Sequence, residues 1–321
     1  MGSYTLGRLS NKTIEQKTNT LMNVIYSYKR VLQNKKELSA NFWNVARLSV
    51  SYANRFYNTI LYCDTNTKKL FKSNEVPIKE YIIVDEIEKY DGVVYPMPKI
   101  YGILEHCKRY PNKPFYHIDL DTVIINKLSE PKQSFAFSHP EINLKERVTP
   151  TVIDFLTKAY LEPYDRIKLI EQIGEYDFSF IPNYNIIYIK NTKLGSYYWN
   201  KLLDIIESNE VIKSKSLGDI LEAGVSQLLE QYTFYHLLKQ DKIKVGIYSK
   251  MGTFDFFGGY VRLSNDLISL NDITIEQLNK YDYLHLSSYD VFQESTDTVV
   301  KILMDELGIS NTFTSSKSGL L

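Results

Sequence analysis

Short apolar runs that each end in a polar or acidic residue, separated by stretches with helical spacing, leave this chain few ways to fold. Residues 21–26, ending before Ser27, 59–62, ending at Asp64, 81–84, and 115–118, ending at Asp119, read as strands. Ser27, Tyr28 and Lys29 read as a polar loop after the first of them. Phe42, Val45, Ala46, Leu48 and Val50 predict a helix over 41–54. Met97, Ile100, Tyr101, Leu104 and Cys107 share one face of another helix, which Pro111 stops. The alternation predicts an α/β fold, a mostly parallel central sheet flanked by helices. In such sheets ligands gather beyond the carboxyl ends of the strands, where Ser27, Asp64 and Asp119 all fall.

Further along, 134–137 and 184–188 predict strands, and residues from about 150 to 175 predict a helical insertion. Asn191 and Thr192 offer caps for a helix with the face Leu194, Tyr197, Tyr198, Leu202, Ile205 and Ile206. A second long helix carries Leu221, Val225, Leu228, Tyr232 and Tyr235, and both stripes read as core. Strands over 243–248 and 281–286 precede a last helix over 291–307. Without repeats or a convincing linker, the simplest division is one domain over 21–308, between a polar segment 1–20 and a loose tail 309–321.

With 44% hydrophobic and 24% charged residues over 321 positions, the chain can bury a sizeable core. Lys and Arg balance Asp and Glu at 38 each, so no global field draws it to nucleic acid or an anionic membrane. Cys63 and Cys107 lack metal-ligand spacing and are too few for a disulfide framework, which fits a reducing compartment. No apolar run approaches the roughly 18 residues that cross a bilayer, and the polar start has no hydrophobic signal region, so the expectation is a cytoplasmic protein. Met1-Gly2 is not followed by the hydroxyl residue of a myristoylation site, since Leu6 stands there. The 26 tyrosines, with abundant Asn, Lys and Ile, read as coding bias rather than as sugar-stacking platforms.

The sharpest motif is Asp119-Leu120-Asp121. If the strand continues through it, alternate side chains project together, so the two carboxylates share one side while Ile118 and Leu120 face the core. Two like charges at that spacing call for a cation or a raised pKa. Mg²⁺ and Mn²⁺ prefer oxygen ligands and commonly combine one or two carboxylates with substrate phosphates. The same residues could simply cap the next segment.

Val24-Ile-Tyr26-Ser27, Leu61-Tyr-Cys-Asp64, Met97-Pro-Lys99-Ile100, Pro114-Phe-Tyr-His-Ile-Asp119-Leu-Asp121, Asn183-Tyr-Asn185-Ile186, Glu230-Gln231 and Tyr283-Leu-His285-Leu286 occur in the order found in a bacterial and viral subgroup of the GT-A class. Over about 21–290 the chain resembles these nucleotide-sugar-dependent glycosyltransferases. The resemblance implies a GT-A, Rossmann-like fold and transfer of a sugar from a nucleoside diphosphate sugar, a UDP-sugar being favoured, to a glycan or protein acceptor. A place in polysaccharide biosynthesis would follow from such an activity. By the same resemblance, Asp119, Asp121 and His285 would hold Mn²⁺ or Mg²⁺. Tyr26, Ser27, Tyr28, Asp64, Lys99, Asp119 and Asn185 would bind the sugar nucleotide. Lys99 would lean toward the phosphates, and Glu230 and Gln231 would stand with it at the reaction centre.

The usual Gly-x-Lys after the late histidine is replaced by Ser287-Ser-Tyr-Asp290. His285 could also be a core histidine, Asp64 a turn residue, Lys99 a solvated lysine, and Glu230 part of a solvated helix face. His117, His139, Glu141 and Glu230 are all conceivable bases, and the subgroup's resemblance to retaining enzymes favours retention. Asp119-Leu-Asp-Thr-Val123 also fits the nucleophile motif of haloacid-dehalogenase-type phosphatases. Those enzymes need a downstream acidic pair, whereas this chain offers Asp219 in a helix-like stretch with Ala223 where a second acid might be sought. An inactive sugar-nucleotide-binding protein on the same fold is a further reading.

Overall fold

The computed structural model describes residues 21–29, 38, 40–90, 96–138, 182–207, 228–248, 251–253, 260–263, 266–269, 273–286 and 293–309. The helical insertion expected near 150–175, the polar start and the tail beyond 309 lie outside them. Among the described residues no helix is long and apolar enough to cross a membrane.

The amino-terminal half alternates as its apolar runs require: β1 (Asn23–Tyr28), α1 (Ala40–Asn54), β2 (Asn58–Cys63), α2 (Thr65–Ser73), β3 (Glu80–Ile83), α3 (Asp85–Lys89), α4 (Met97–Arg109) and β4 (Phe115–Ile118). Then come β5 (Thr122–Ile124), β6 (Phe135–Phe137), β7 (Ile186–Ile189) and α5 (Thr192–Glu207). A π-helical turn, Leu228–Thr233, runs into α6 (Phe234–Gln240), followed by β8 (Val245–Ile247), β9 (Met251–Thr253), β10 (Tyr260–Leu263) and β11 (Asp266–Ser269). The described chain closes with α7 (Ile275–Leu278), β12 (Tyr283–His285) and α8 (Gln293–Leu307).

A seven-stranded sheet has the order β3-β2-β1-β4-β7-β6-β8. Its β3-β2-β1-β4 portion is parallel throughout, β7 runs antiparallel to both neighbours, and β8 returns parallel to β6. The mostly parallel sheet is therefore as expected. A second sheet, β11-β10-β9-β12-β5, has no counterpart in the sequence reading except for β12.

Side-chain alternation along β1 divides the core. Ile25 joins Tyr62, Phe115, Ile100, Ile103, Trp199 and Leu202 beneath α4 and α5. Val24 and Tyr26 face the other way, toward Phe42, Trp43, Ala46 and Val50 of α1. The opposite side of α1, with Val45, Leu48 and Tyr52, packs on Val123, Leu284, Leu303 and Met304. α1 is thus buried between the two sheets. Ser49 on it donates its hydroxyl to the Thr122 carbonyl at 2.6 Å, tying α1 to β5.

Several expectations need correction. Ser27 and Tyr28 end β1 rather than forming a loop, because parallel pairing with β2 continues through Tyr28↔Cys63. Asn191, not Thr192, caps α5: its Oδ1 accepts from the Lys193 and Leu194 N–H groups, while the Thr192 hydroxyl accepts from the Asn112 N–H. Tyr197 does not join the core stripe and is 50% exposed, since only Tyr198, Leu202 and Ile206 of that set are fully buried. Of the second long helix, Leu221 and Val225 lie outside the described residues, and the described part opens as a π-turn at Leu228.

α4 approaches β1 and β2 closely at Gly102. A Cβ there would lie 2.1 Å from Ser27 Oγ, 3.0 Å from Ser27 Cβ and 3.1 Å from Tyr62 Cβ. Cβ atoms are tied to the main chain and cannot swing aside, so overpacking outweighs the better helix propensity of alanine. Gly102→Ala is expected to cost about 1–3 kcal/mol. Urea unfolding checks it, and an unchanged or higher midpoint would refute the close-packing argument.

Candidate active site

The site forms where β4 leaves the large sheet. All four β4 residues are buried, and the Asp119 N–H donates to the Asn185 carbonyl at 2.9 Å, extending the β4–β7 register of Ile118↔Ile186 by one pair. The chain then turns instead of continuing extended, because the Thr122 N–H donates to the Asp119 carbonyl at 3.0 Å. The nearness of the aspartates comes from this turn and not from the strand alternation expected of the sequence. Beyond it, β5 pairs antiparallel with β12, setting His285 opposite Thr122, and the Leu286 N–H donates to the Asp121 carbonyl at 2.8 Å. His285 Nε2 consequently lies 3.6 Å from Asp121 Oδ2. Burial would raise the Asp121 carboxyl, but His285 and Lys99 overcome it and hold the group below its usual range. Asp121 Oδ1 is buried with no hydrogen-bond partner.

Lys99 lies in the first turn of α4, where an ammonium opposes the helix dipole. Two carboxylates offset that cost: Lys99 Nζ is 2.7 Å from Asp119 Oδ1 and also contacts Glu230 Oε1, with the Tyr184 carbonyl at 3.4 Å. The Lys99 and Glu230 side chains are only 11% and 10% exposed. Burial works against the Lys99 charge, but Asp119 and Glu230 prevail and keep it protonated. Burial pushes the Glu230 carboxyl up to about 7 against the pull of Lys99, and it raises Asp119 as well. Glu230 sits in the π-turn, a local rewinding often found at functional sites.

Lys99, Asp119, Asp121, Glu230 and His285 therefore come together, although two of them differ from expectation. Lys99 does not lean outward as an unpaired cation but is buried between carboxylates, and Glu230 is buried rather than on a solvated face. Gln231 is buried beside it, its Oε1 lacking a partner. Asn185, opposite Asp119 across β4 and β7, is 2% exposed, and neither polar atom of its amide has a partner. Among the described residues, no three His, Cys, Asp or Glu side chains form a ready metal cage, as Lys99 occupies the space between Asp119 and Glu230.

The expected nucleoside-side residues fare differently. Tyr26 is fully buried under α1, its hydroxyl at Ser49 Oγ, so it belongs to the core. The Ser27 hydroxyl is buried beneath Gly102. Asp64 caps α2, its Oδ1 accepting from the Thr67 N–H at 2.8 Å. Tyr28 is half-buried, with its ring 5.5 Å from Phe42 and 5.8 Å from Phe71. Of the conceivable bases, His117 is 1% exposed, 3.9 Å from Asp119 Oδ1, and kept neutral by burial and Lys99. His139, Glu141, Asp219, Ala223 and the loop Ser287-Ser-Tyr-Asp290 lie outside the described residues. Sequence reasoning passed over Tyr184, whose carbonyl faces Lys99, because its place in an apolar strand-like run marks it as ordinary core.

No protein-family profile matches the chain, and no curated protein matches it. Among solved structures it is similar to the galactosyltransferase LgtC in complex with donor and acceptor sugar analogs, at 10% identity over 86% of this chain and 96% of that one, with a TM-score of 0.43. It is also similar to a glycosyltransferase involved in glycosylating the major capsid of PBCV-1, at 7% identity over 88% and 99%, with a TM-score of 0.40. The inositol-1-phosphate CTP transferase from T. maritima matches at 8% identity over 91% and 98%, with a TM-score of 0.42. Likenesses this distant carry no functional argument, which the site's own residues must supply.

Proposed function

We propose that the chain is a divalent-metal-dependent glycosyltransferase that moves a sugar from a nucleoside diphosphate sugar, a UDP-sugar being favoured, to a glycan or protein acceptor. The observation that carries this reading is the unpartnered, buried Oδ1 of Asp121, whose Oδ2 lies 3.6 Å from His285 Nε2, just beyond the carboxyl end of β4. Asp119 and Glu230 share the Lys99 ammonium while Asp121 faces the imidazole of His285, which gives up any proton on binding a metal, so the centre suits an added cation. Asp121 and His285 supply oxygen and imidazole donors that Mn²⁺ accepts, and Asp119 contributes the oxygen that Lys99 leaves free. When bound, the ion would stabilise the negative charge that develops on the departing diphosphate.

The protein's own contribution is to hold these groups still. The β4–β7 register fixes Asp119, Lys99 keeps Asp119 and Glu230 from repelling each other, and the π-turn presents Glu230 and Gln231 to the reacting face. The resemblance to retaining enzymes favours retention over inversion. A panel of sugar nucleotides with Mn²⁺ tests the proposal: slow donor hydrolysis, accelerated by an acceptor, is expected with at least one donor. Hydrolysis of phosphomonoesters, with an aspartyl-phosphate at Asp119, would replace it by the phosphatase reading.

A further inference from the structure

We infer that Tyr184 is a positioning residue that fixes Lys99 and Glu230 relative to each other by gripping the elements carrying both; this rests on reading that pair as the reaction centre. Its main-chain carbonyl takes Lys99 Nζ at 3.4 Å, at the start of α4. Its ring lies flat on Phe137, with centroids 4.4 Å apart and planes 8° apart, and edge-on to Phe234 at 5.9 Å and 89°. Phe234 comes four residues after Glu230, fully buried, at the point where the π-turn becomes α6. Phe234 is also stacked on Trp199 of α5 at 4.1 Å and meets Phe135, Phe137 and Tyr198 edge-on at 5.9, 6.4 and 6.5 Å.

The ring of Tyr184 is thus a wedge between the β6 strand, through Phe137, and the helix that carries Glu230. Stacked and edge-on aromatic contacts are directional as well as apolar, so they set an orientation and not just a distance. The Tyr184 hydroxyl is buried with no hydrogen-bond partner, which assigns the task to the ring and the carbonyl. Without the ring, the π-turn would relax toward the vacated space, and Glu230 would lose its alignment with Lys99 while the metal-side residues, on β4 and β12, stayed in place.

The test compares Tyr184→Leu with Tyr184→Phe in the full-length protein. Leucine is expected to lower kcat for donor turnover tenfold or more with the donor KM within twofold, and phenylalanine, which keeps the ring, is expected to restore kcat. A second readout needs no turnover: the shift in thermal unfolding midpoint caused by Glu230→Gln should be at least halved in the Tyr184→Leu background. Additive midpoint shifts, or a leucine variant with normal kcat and only a lower midpoint, would overturn the assignment. If the wild-type protein turned over no donor, the transferase reading would fall, while the double-mutant comparison would still decide whether Tyr184 acts on Glu230.

Discussion

Replacing Lys99 by methionine is expected to lower folding stability by about 3–5 kcal/mol, the cost of breaking a buried ion pair by removing one partner. Methionine fills much of the same volume, so the loss is electrostatic and not a cavity effect. Asp119 and Glu230 would then face each other without the ammonium that now contacts both. The pH dependence comes from the sign of the carboxylate shifts. In the wild type burial already lifts Glu230 from 4.5 to about 7, and removing Lys99 takes away the charge that pulls it down. A carboxyl whose folded pKa is raised binds more protons folded than unfolded, so its contribution is fully present below the unfolded pKa and is lost as pH rises through the folded one. The deficit of Lys99→Met should therefore grow as the pH rises above 7, where the wild-type Glu230 ionises beside its ammonium, and should be smallest well below 7. Adding Glu230→Gln, which removes the second charge, should return part of the lost stability above pH 7. Urea unfolding at pH 6 and pH 8.5 measures both effects. A deficit that does not change with pH, and is not relieved in the double variant, would show that Lys99 matters for packing alone.

Much of the large sheet was legible because its strands are short apolar runs with a fixed period. β4 was read with its observed bounds, since four buried residues stand between Pro114 and Asp119. α4 was legible from its apolar stripe and from Pro111 just beyond its end. α2 was missed because Thr67 and Phe71 are its only buried residues, too few to show a period. The second sheet was missed for a different reason: β5 and β9 are three residues long, β5 being paired with β12 and β9 with β10 and β12. Three residues cannot display an alternation, and pairing between segments more than a hundred positions apart leaves no local trace.

The same division runs through the site. Asp119 and Asp121 were visible as a spaced acidic pair after a strand, but the reason they meet is a turn that apolar patterning does not reveal. His285 reaches Asp121 through the β5–β12 register, a tertiary fact. Lys99 carried one overlooked signal, a cation in the first turn of a helix, where the dipole disfavours it. Its partner Glu230 lies 131 positions away. Tyr26 and Asp64 show that a polar group near the end of a strand can serve the core or cap a helix, and both do so here.

Asp121→Asn is expected to lower metal-dependent donor turnover by about 10²–10³-fold, the usual consequence of removing one group that stabilises charge in a transition state. Asparagine nearly preserves the shape, and the hydrogen bond from the Leu286 N–H to the residue-121 carbonyl is made by the main chain, so the β5–β12 junction should survive. Without metal the variant should lose some stability, because the ionised carboxylate that His285 and Lys99 favour is gone. With Mn²⁺ the gap should widen. An ion that binds only the folded state raises the unfolding midpoint in proportion to its affinity, so Mn²⁺ should stabilise the wild type and leave Asp121→Asn nearly unmoved. His285→Ala should show the same lost response, since its Nε2 faces the same carboxylate. Thermal unfolding with and without Mn²⁺, alongside initial rates of donor hydrolysis, separates the two halves of the prediction. An equal Mn²⁺ shift in the wild type and both variants would place any bound ion elsewhere. A lost shift with undiminished turnover would keep the ion at Asp121 and deny it a part in the chemistry.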